Sequence, residues 1–175
     1  MKNKIHLIAL LLICSLISSC ESDDLNYQND FENSQKAWLD FKESTDNSYQ
    51  YTVTSGTWAG SSWETTISVS NGEITQRHFK YTITEGLSDD ISEEDLEWTE
   101  NENGIGSHDF GIAAEPMSLD EVYNKAKEDW LVKRENTKTY FDTENNGLIS
   151  RAGYVDNNCV DDCFVGIKIK SIQAL

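Results

Sequence analysis

Few residues in this chain combine the type and the spacing that chemistry needs. Asp142-x-Glu144-x-Asn146-Gly147 opens like a calcium loop, with oxygen ligands at alternate positions and a glycine for the sharp turn. The bidentate glutamate that closes such a loop is missing, because Gly153 stands in its place, and the flanks read as strands. A simple β-turn is the competing reading. Beyond the leader only His78 and His108 supply imidazoles, the first on a strand pattern and the second beside Asp109 in an acidic stretch. No Gly-x-Ser-x-Gly elbow accompanies them. No catalytic residue is assigned, and a small hydrolase or carbohydrate-active protein using surface carboxylates stands as an alternative. Such chemistry needs two positioned acids, and nothing in the sequence singles out a pair. Trp58 and Trp63 flank Ala59-Gly60. Two indoles in one hairpin can form an aromatic platform for a glycan or a protein; the competing reading puts one of them in the core.

The N-terminus carries the most specific pattern. Lys2 and Lys4 give a cationic start, residues 5–17 are almost unbroken apolar sequence, and Ser18 and Ser19 precede Cys20. That is the layout of a secretory signal, and the apolar run is shorter than the ~20 residues of a membrane-spanning helix. Ile17-Ser18-Ser19-Cys20 resembles the lipobox of bacterial lipoproteins. The resemblance implies removal of residues 1–19, acylation of Cys20 and a membrane partner held through the acyl chains. Glu21-Ser22-Asp23-Asp24 is similar to the acidic export signal of Bacteroidetes-type surface lipoproteins, which implies a lipid-anchored protein of the outer membrane, facing the cell surface. In that oxidising compartment Cys159 and Cys163 are expected to pair as a disulfide. Their C-x-x-x-C spacing and the intervening Asp161 and Asp162 argue against a redox or metal-binding pair, which needs a thiolate.

The leader carries two lysines and no acid, so its removal takes the net charge from −17 to −19 on 156 residues. A body this acidic repels nucleic-acid phosphates, and no nucleic-acid partner is expected. High charge with modest hydrophobicity is a mark of disorder. Five Trp, seven Tyr and six Phe answer it with large, stiff apolar area, enough for one folded domain.

The domain that must position these residues is expected over 30–175, after an acidic tether at 20–29. A first helix is expected over 30–44, capped by Asp30 or Asn33, with Phe31, Trp38 and Phe41 near one face and Ala37 and Leu39 beside it. Three strands follow. Tyr49, Tyr51 and Val53 alternate, as do Trp63, Ile67 and Val69, and Asn71-Gly72 predicts a two-residue hairpin turn. In the third strand, residues 73–84, Ile74 has the opposite parity to Phe79, Tyr81 and Ile83, which predicts a bulge between Thr75 and His78. Residues 86–116 are dense in acids and read as a solvated insertion, with a cation or basic-partner site as the sharper reading and Ile91, Leu96 and Trp98 able to form a short helix. Ser118 and Glu121 have capping-box spacing. Leu119, Val122, Tyr123, Ala126 and Trp130 then mark one helical face up to a stop near Asn136. Three more strands are expected at 137–141, 148–155 and 164–172. The fold class is α+β: two helices packed on antiparallel sheet, in the order helix, three strands, acidic insertion, helix, three strands.

Trp38, Tyr49-x-Tyr51, Ile67-x-Val69-x-x-Gly72, the stretch from Ser118 to Tyr123, and Tyr140-Phe-Asp142 with Gly147 and Asp156 occur in an order similar to an uncharacterised family of small bacterial secreted domains. The resemblance covers residues 36–172 apart from the insertion. It implies a fold and no chemistry. The expected role is a non-enzymatic binding or assembly module of the cell envelope with a protein or glycan partner; an inhibitor of a partner enzyme is a further alternative.

Overall fold

The computed structural model describes residues 25–88, 90–108, 111–161 and 163–175. Helix α1, Gln28–Ser44, leads into strands β1, Tyr49–Gly56, β2, Ser62–Ser70, and β3, Glu73–Ile83. A single helical turn, α2, Glu93–Leu96, precedes β4, Glu97–Asn101. Helix α3, Leu119–Lys125, runs on into a π-turn at Ala126–Trp130. Strands β5, Thr137–Asp142, β6, Arg151–Asp156, and β7, Val165–Ala174, end the chain. Among the described residues seven strands form one antiparallel sheet in the order β4-β3-β2-β1-β7-β6-β5. The α+β class therefore holds, while the expected count of three strands before α3 is corrected to four.

The added strand lies inside the stretch expected to be a solvated insertion. Trp98, expected on a short helix, sits on β4 opposite Phe79, and Glu100 sits opposite Arg77. Both members of that second pair point into the protein, with Arg77 5% and Glu100 6% exposed. A strand whose inward positions hold a tryptophan and a glutamate shows no apolar alternation, so its pattern reads as loop.

The hairpin turn at Asn71-Gly72 is present, with φ of 50° and 86° and Ser70 paired to Glu73. Val69 pairs with Ile74 and Ser68 with Gln76, which leaves Thr75 as the extra residue of a bulge. The bulge sits at the start of the expected interval and turns Arg77, Phe79 and Tyr81 to the face that Ile74 begins.

Helix α1 begins at Gln28 behind a left-handed Tyr27 that makes no side-chain cap bond, so the expected caps at Asp30 and Asn33 are corrected. The chain is fixed there by tertiary contacts. Asn26 donates its N–H to Leu131 at 2.8 Å and its side-chain amide to Thr139 at 2.8 Å. Phe31, Ser34 and Trp38 are the buried face of α1, whereas Leu39 is 56% exposed. The capping box at Ser118 and Glu121 is complete, and every residue expected on the α3 face is buried.

Between helices and sheet lies an aromatic layer. Trp38 meets Tyr49 edge-on at 5.2 Å and stacks on Tyr123 at 6.1 Å. Its indole N–H donates to Asp120 at 2.9 Å, which ties α1 to α3. Tyr51 donates its hydroxyl to the Met117 carbonyl at 2.6 Å, and Tyr49 accepts the Leu119 N–H at 2.8 Å. These hydroxyls satisfy backbone groups at the entry to α3 that would otherwise be buried unpaired. Burial pushes the Tyr49 hydroxyl up to about 12, helped by the Asp120 and Glu121 carboxylates and opposed by the Leu119 N–H. Tyr51, raised by burial, and Tyr123, raised by burial against the bonds from Ser34 and Ile149, move the same way.

Candidate functional site: a cleft where the sheet forks

The two halves of the sheet meet where β1 runs beside β7. Pairing extends from Tyr49↔Ala174 to Val53↔Ile169, with a register shift between Thr52 and Val53, and stops there. Both strands run on past that point, β1 to Gly56 and β7 back to Val165, each held on its other side by β2 and β6. The sheet forks. Two glycines explain why β7 leaves β1. Gly166 has a φ of 149°, and a Cβ there would stand 2.2 Å from the Ala152 carbonyl oxygen. A Cβ on its partner Gly153 would stand 2.4 Å from the Val165 oxygen and 2.5 Å from the Phe164 ring. Without side chains at this pair, the start of β7 presses onto β6 more closely than an ordinary ladder permits.

The fork opens a cleft of about 640 Å³. Trp63, Ile112, Met117 and Trp130 line its inner wall, and Thr54, Ser55 and Gly56 face Gly166 and Lys168 across its mouth. Most charges in the lining are matched: Lys125 meets Glu115 at 3.0 Å, and Asp129 meets Arg134 at 2.5 Å. Lys168 is exposed, lies 5.0 Å from the Phe164 ring and has no carboxylate partner among the described residues.

Ile112, Ala114, Glu115 and Met117 form one wall, and an internal clamp sets the described residues around them in place. Glu100 accepts N–H bonds from Gly106 at 2.7 Å and His108 at 2.5 Å and meets the Arg77 guanidinium at 3.3 Å. Arg77 also donates to the Ala114 carbonyl at 2.9 Å and lies 5.0 Å over the Trp98 ring. The Ala114 N–H donates to Thr65 at 3.0 Å, and Trp63 donates its indole N–H to Ile112 at 2.9 Å. Burial alone would raise the Glu100 carboxyl, but the two backbone N–H groups and the guanidinium outweigh it and hold it below the ordinary range. A buried carboxylate with its lone pairs filled in this way fixes a loop instead of reacting.

The structure separates the residues singled out by sequence. Cys159 and Cys163 form a disulfide with Cα atoms 6.1 Å apart, and Cys163 with Phe164 reaches the cleft rim. Cys20 and the tether acids lie outside the described residues. Asp142 pairs with Arg151 at 2.5 Å, Glu144 is exposed, and Asn146 and Gly147 take positive φ in a tight turn. The calcium candidates lie in and beside this turn, and among the described residues no cluster of three or more His, Cys, Asp or Glu is gathered. His78 lies 3.0 Å from Glu97 on the outer face, while His108 stacks on Trp98 at 4.3 Å. Trp63 is 8% exposed and Trp58 is 78% exposed, so the two indoles share no open platform. Sequence reasoning missed the cleft and the Arg77–Glu100 clamp. The available signals were an arginine inside an apolar alternation and a glycine in each of two facing strands.

No protein-family model matches the chain, and neither the curated proteins nor the solved structures compared with it give a significant match.

Proposed function

We propose that this protein is a lipid-anchored binding module of the cell envelope, held in the outer membrane by acyl chains on Cys20 and engaging a partner through the cleft at the fork of the sheet. The N-terminal pattern of Lys2, Lys4, the apolar run and Ser18-Ser19-Cys20 supports the anchor. Among the described residues no helix is long and apolar enough to cross a membrane, and each buried acyl methylene contributes about 0.8 kcal/mol to attachment. The binding reading rests on one observation: the cleft combines an apolar wall of aromatic rings with matched charges and a rim fixed by a disulfide. Such a surface favours retention of a ligand.

Two measurements test this. Radiolabelled palmitate is expected in the wild-type protein and absent from Cys20→Ala, and equal labelling of both would remove the anchor. A photo-crosslinking residue at Ser55, on the cleft, is expected to give an adduct in intact cells where the same residue at Thr66, on the outer face, gives none. Identical patterns from the two positions would remove the cleft as the binding site.

A further inference from the structure

We infer that the occupant of the cleft is an extended peptide that adds as a strand to the free edge of β1 at Thr54, Ser55 and Gly56. This rests on the reading of the cleft as a binding site and specifies its ligand. Three observations lead there. First, β1 stays in ladder register with β2 through Thr54↔Glu64, Ser55↔Trp63 and Gly56↔Ser62, so its backbone is held extended. Its other side loses its partner after Val53↔Ile169. Polar backbone groups on that side face a cleft walled by Trp63, Met117 and Trp130. A strand-shaped ligand satisfies a row of backbone donors and acceptors at β spacing, which neither a sugar nor an acyl chain reproduces.

Second, the walls prescribe the side chains. Successive residues of a strand point to opposite faces. One set of alternate residues would meet the apolar inner wall, and the other set would point out past Lys168. Lys168 is exposed with no carboxylate partner among the described residues, although residues 21–130 carry 25 acids against six bases. The fitting peptide is apolar at every second position, with a carboxylate at an intervening one.

Third, the size agrees. Four residues of strand span about 13 Å, and a cleft of about 640 Å³ takes a segment of that order with its inward side chains.

The test uses the full mature protein and a positional-scanning hexapeptide library with blocked ends. Binding is read by tryptophan fluorescence from Trp63 and Trp130 and by amide hydrogen exchange at residues 54–56. Selection is expected for Val, Ile or Leu at alternate positions and for Asp or Glu between them, with exchange slowed at 54–56. N-methylation of two backbone nitrogens of the selected peptide is expected to weaken binding about tenfold or more. Because that change is in the probe, folding of the protein does not enter. Lys168→Glu is expected to weaken the acidic peptide about threefold and to favour its lysine counterpart. The inference is overturned if no hexapeptide binds, if N-methylation leaves affinity within twofold, or if exchange at 54–56 is unchanged. Crosslinking at Ser55 that persists in that case keeps the cleft as a site and assigns it a ligand other than a strand; loss of both removes the site itself.

Discussion

The half of the sheet built from β1 to β4 and the half built from β5 to β7 solve the same packing problem differently. Residues 21–130 hold 25 of the 31 acids against six bases, whereas residues 131–175 hold six of each. The whole net charge of residues 21–175 therefore sits in the first part. That part fixes its loops with charge turned inward: Arg77 and Glu100 hold residues 106, 108 and 114 from beneath. The second part fixes its loops by close approach and covalency, through Gly153 against Gly166 and through Cys159–Cys163. The cleft lies between the two devices, its walls drawn from both. The cleft is thus assembled from two walls of different electrostatic character, each with its own set of fixing contacts.

The sharpest way to break this contrast is to disable the ionic wall. Glu100→Gln leaves Arg77 buried without its counter-charge and should cost about 3–5 kcal/mol, the usual penalty for breaking a buried pair. Urea denaturation reads the loss, and hydrogen exchange should rise first at 105–114. The same group sets an acid limit. Its carboxyl is depressed in the folded state, so its contribution is present above the ordinary glutamate value near 4.3 and is lost as pH falls through the lower folded value. Wild-type stability should therefore decline more steeply below that pH than stability of Glu100→Gln.

Gly166→Ala attacks the other wall. A methyl 2.2 Å from the Ala152 oxygen must push β7 off β6. The expected cost is up to about 3 kcal/mol, with exchange rising at 151–154 and 165–168 and little change at 97–101. Removing the disulfide with Cys159→Ser and Cys163→Ser should cost about 2 kcal/mol on loop-closure entropy for so short a ring, and peptide affinity should fall because the rim at Phe164 loosens. Equal exchange changes in both halves after any of these substitutions would show one cooperative unit in place of two independently held walls.

The shared core gives the smaller effects. Ser118→Ala removes half of the capping box and should cost about 1 kcal/mol by thermal unfolding. In base, Tyr49 is neutral when folded up to about 12, while an exposed tyrosine ionises near 10. The stability it contributes is complete below 10 and is lost as pH rises from there through the folded value. Tyr49→Phe should flatten that part of the pH profile, which spectrophotometric titration of the folded protein checks directly.

Local sequence carried much of the frame. The turn at Asn71-Gly72, the bulge demanded by the parity of Ile74 and Phe79, the Ser118 capping box and the face from Leu119 to Trp130 depend on residues a few positions apart, where backbone sterics and periodicity act directly. Strand β4 was hidden because its inward positions hold Trp98 and Glu100, and a buried glutamate is intelligible only once Arg77 stands opposite. Helix α1 starts earlier than local capping predicts because Asn26 is fixed by bonds to Leu131 and Thr139 and Tyr27 by a bond to the Thr139 carbonyl, which no local capping rule reports.

By itself, then, the sequence determined the acidic balance, the α+β class and the pairing of Cys159 with Cys163. Only the tertiary structure decided that β1 and β7, from opposite ends of the chain, lie side by side and then part. Periodicity along a strand says which face is buried but not which strand lies next to it. The neighbour is chosen by the packing of the whole sheet under α1 and α3, and the cleft exists only because that choice stops short of the strand ends.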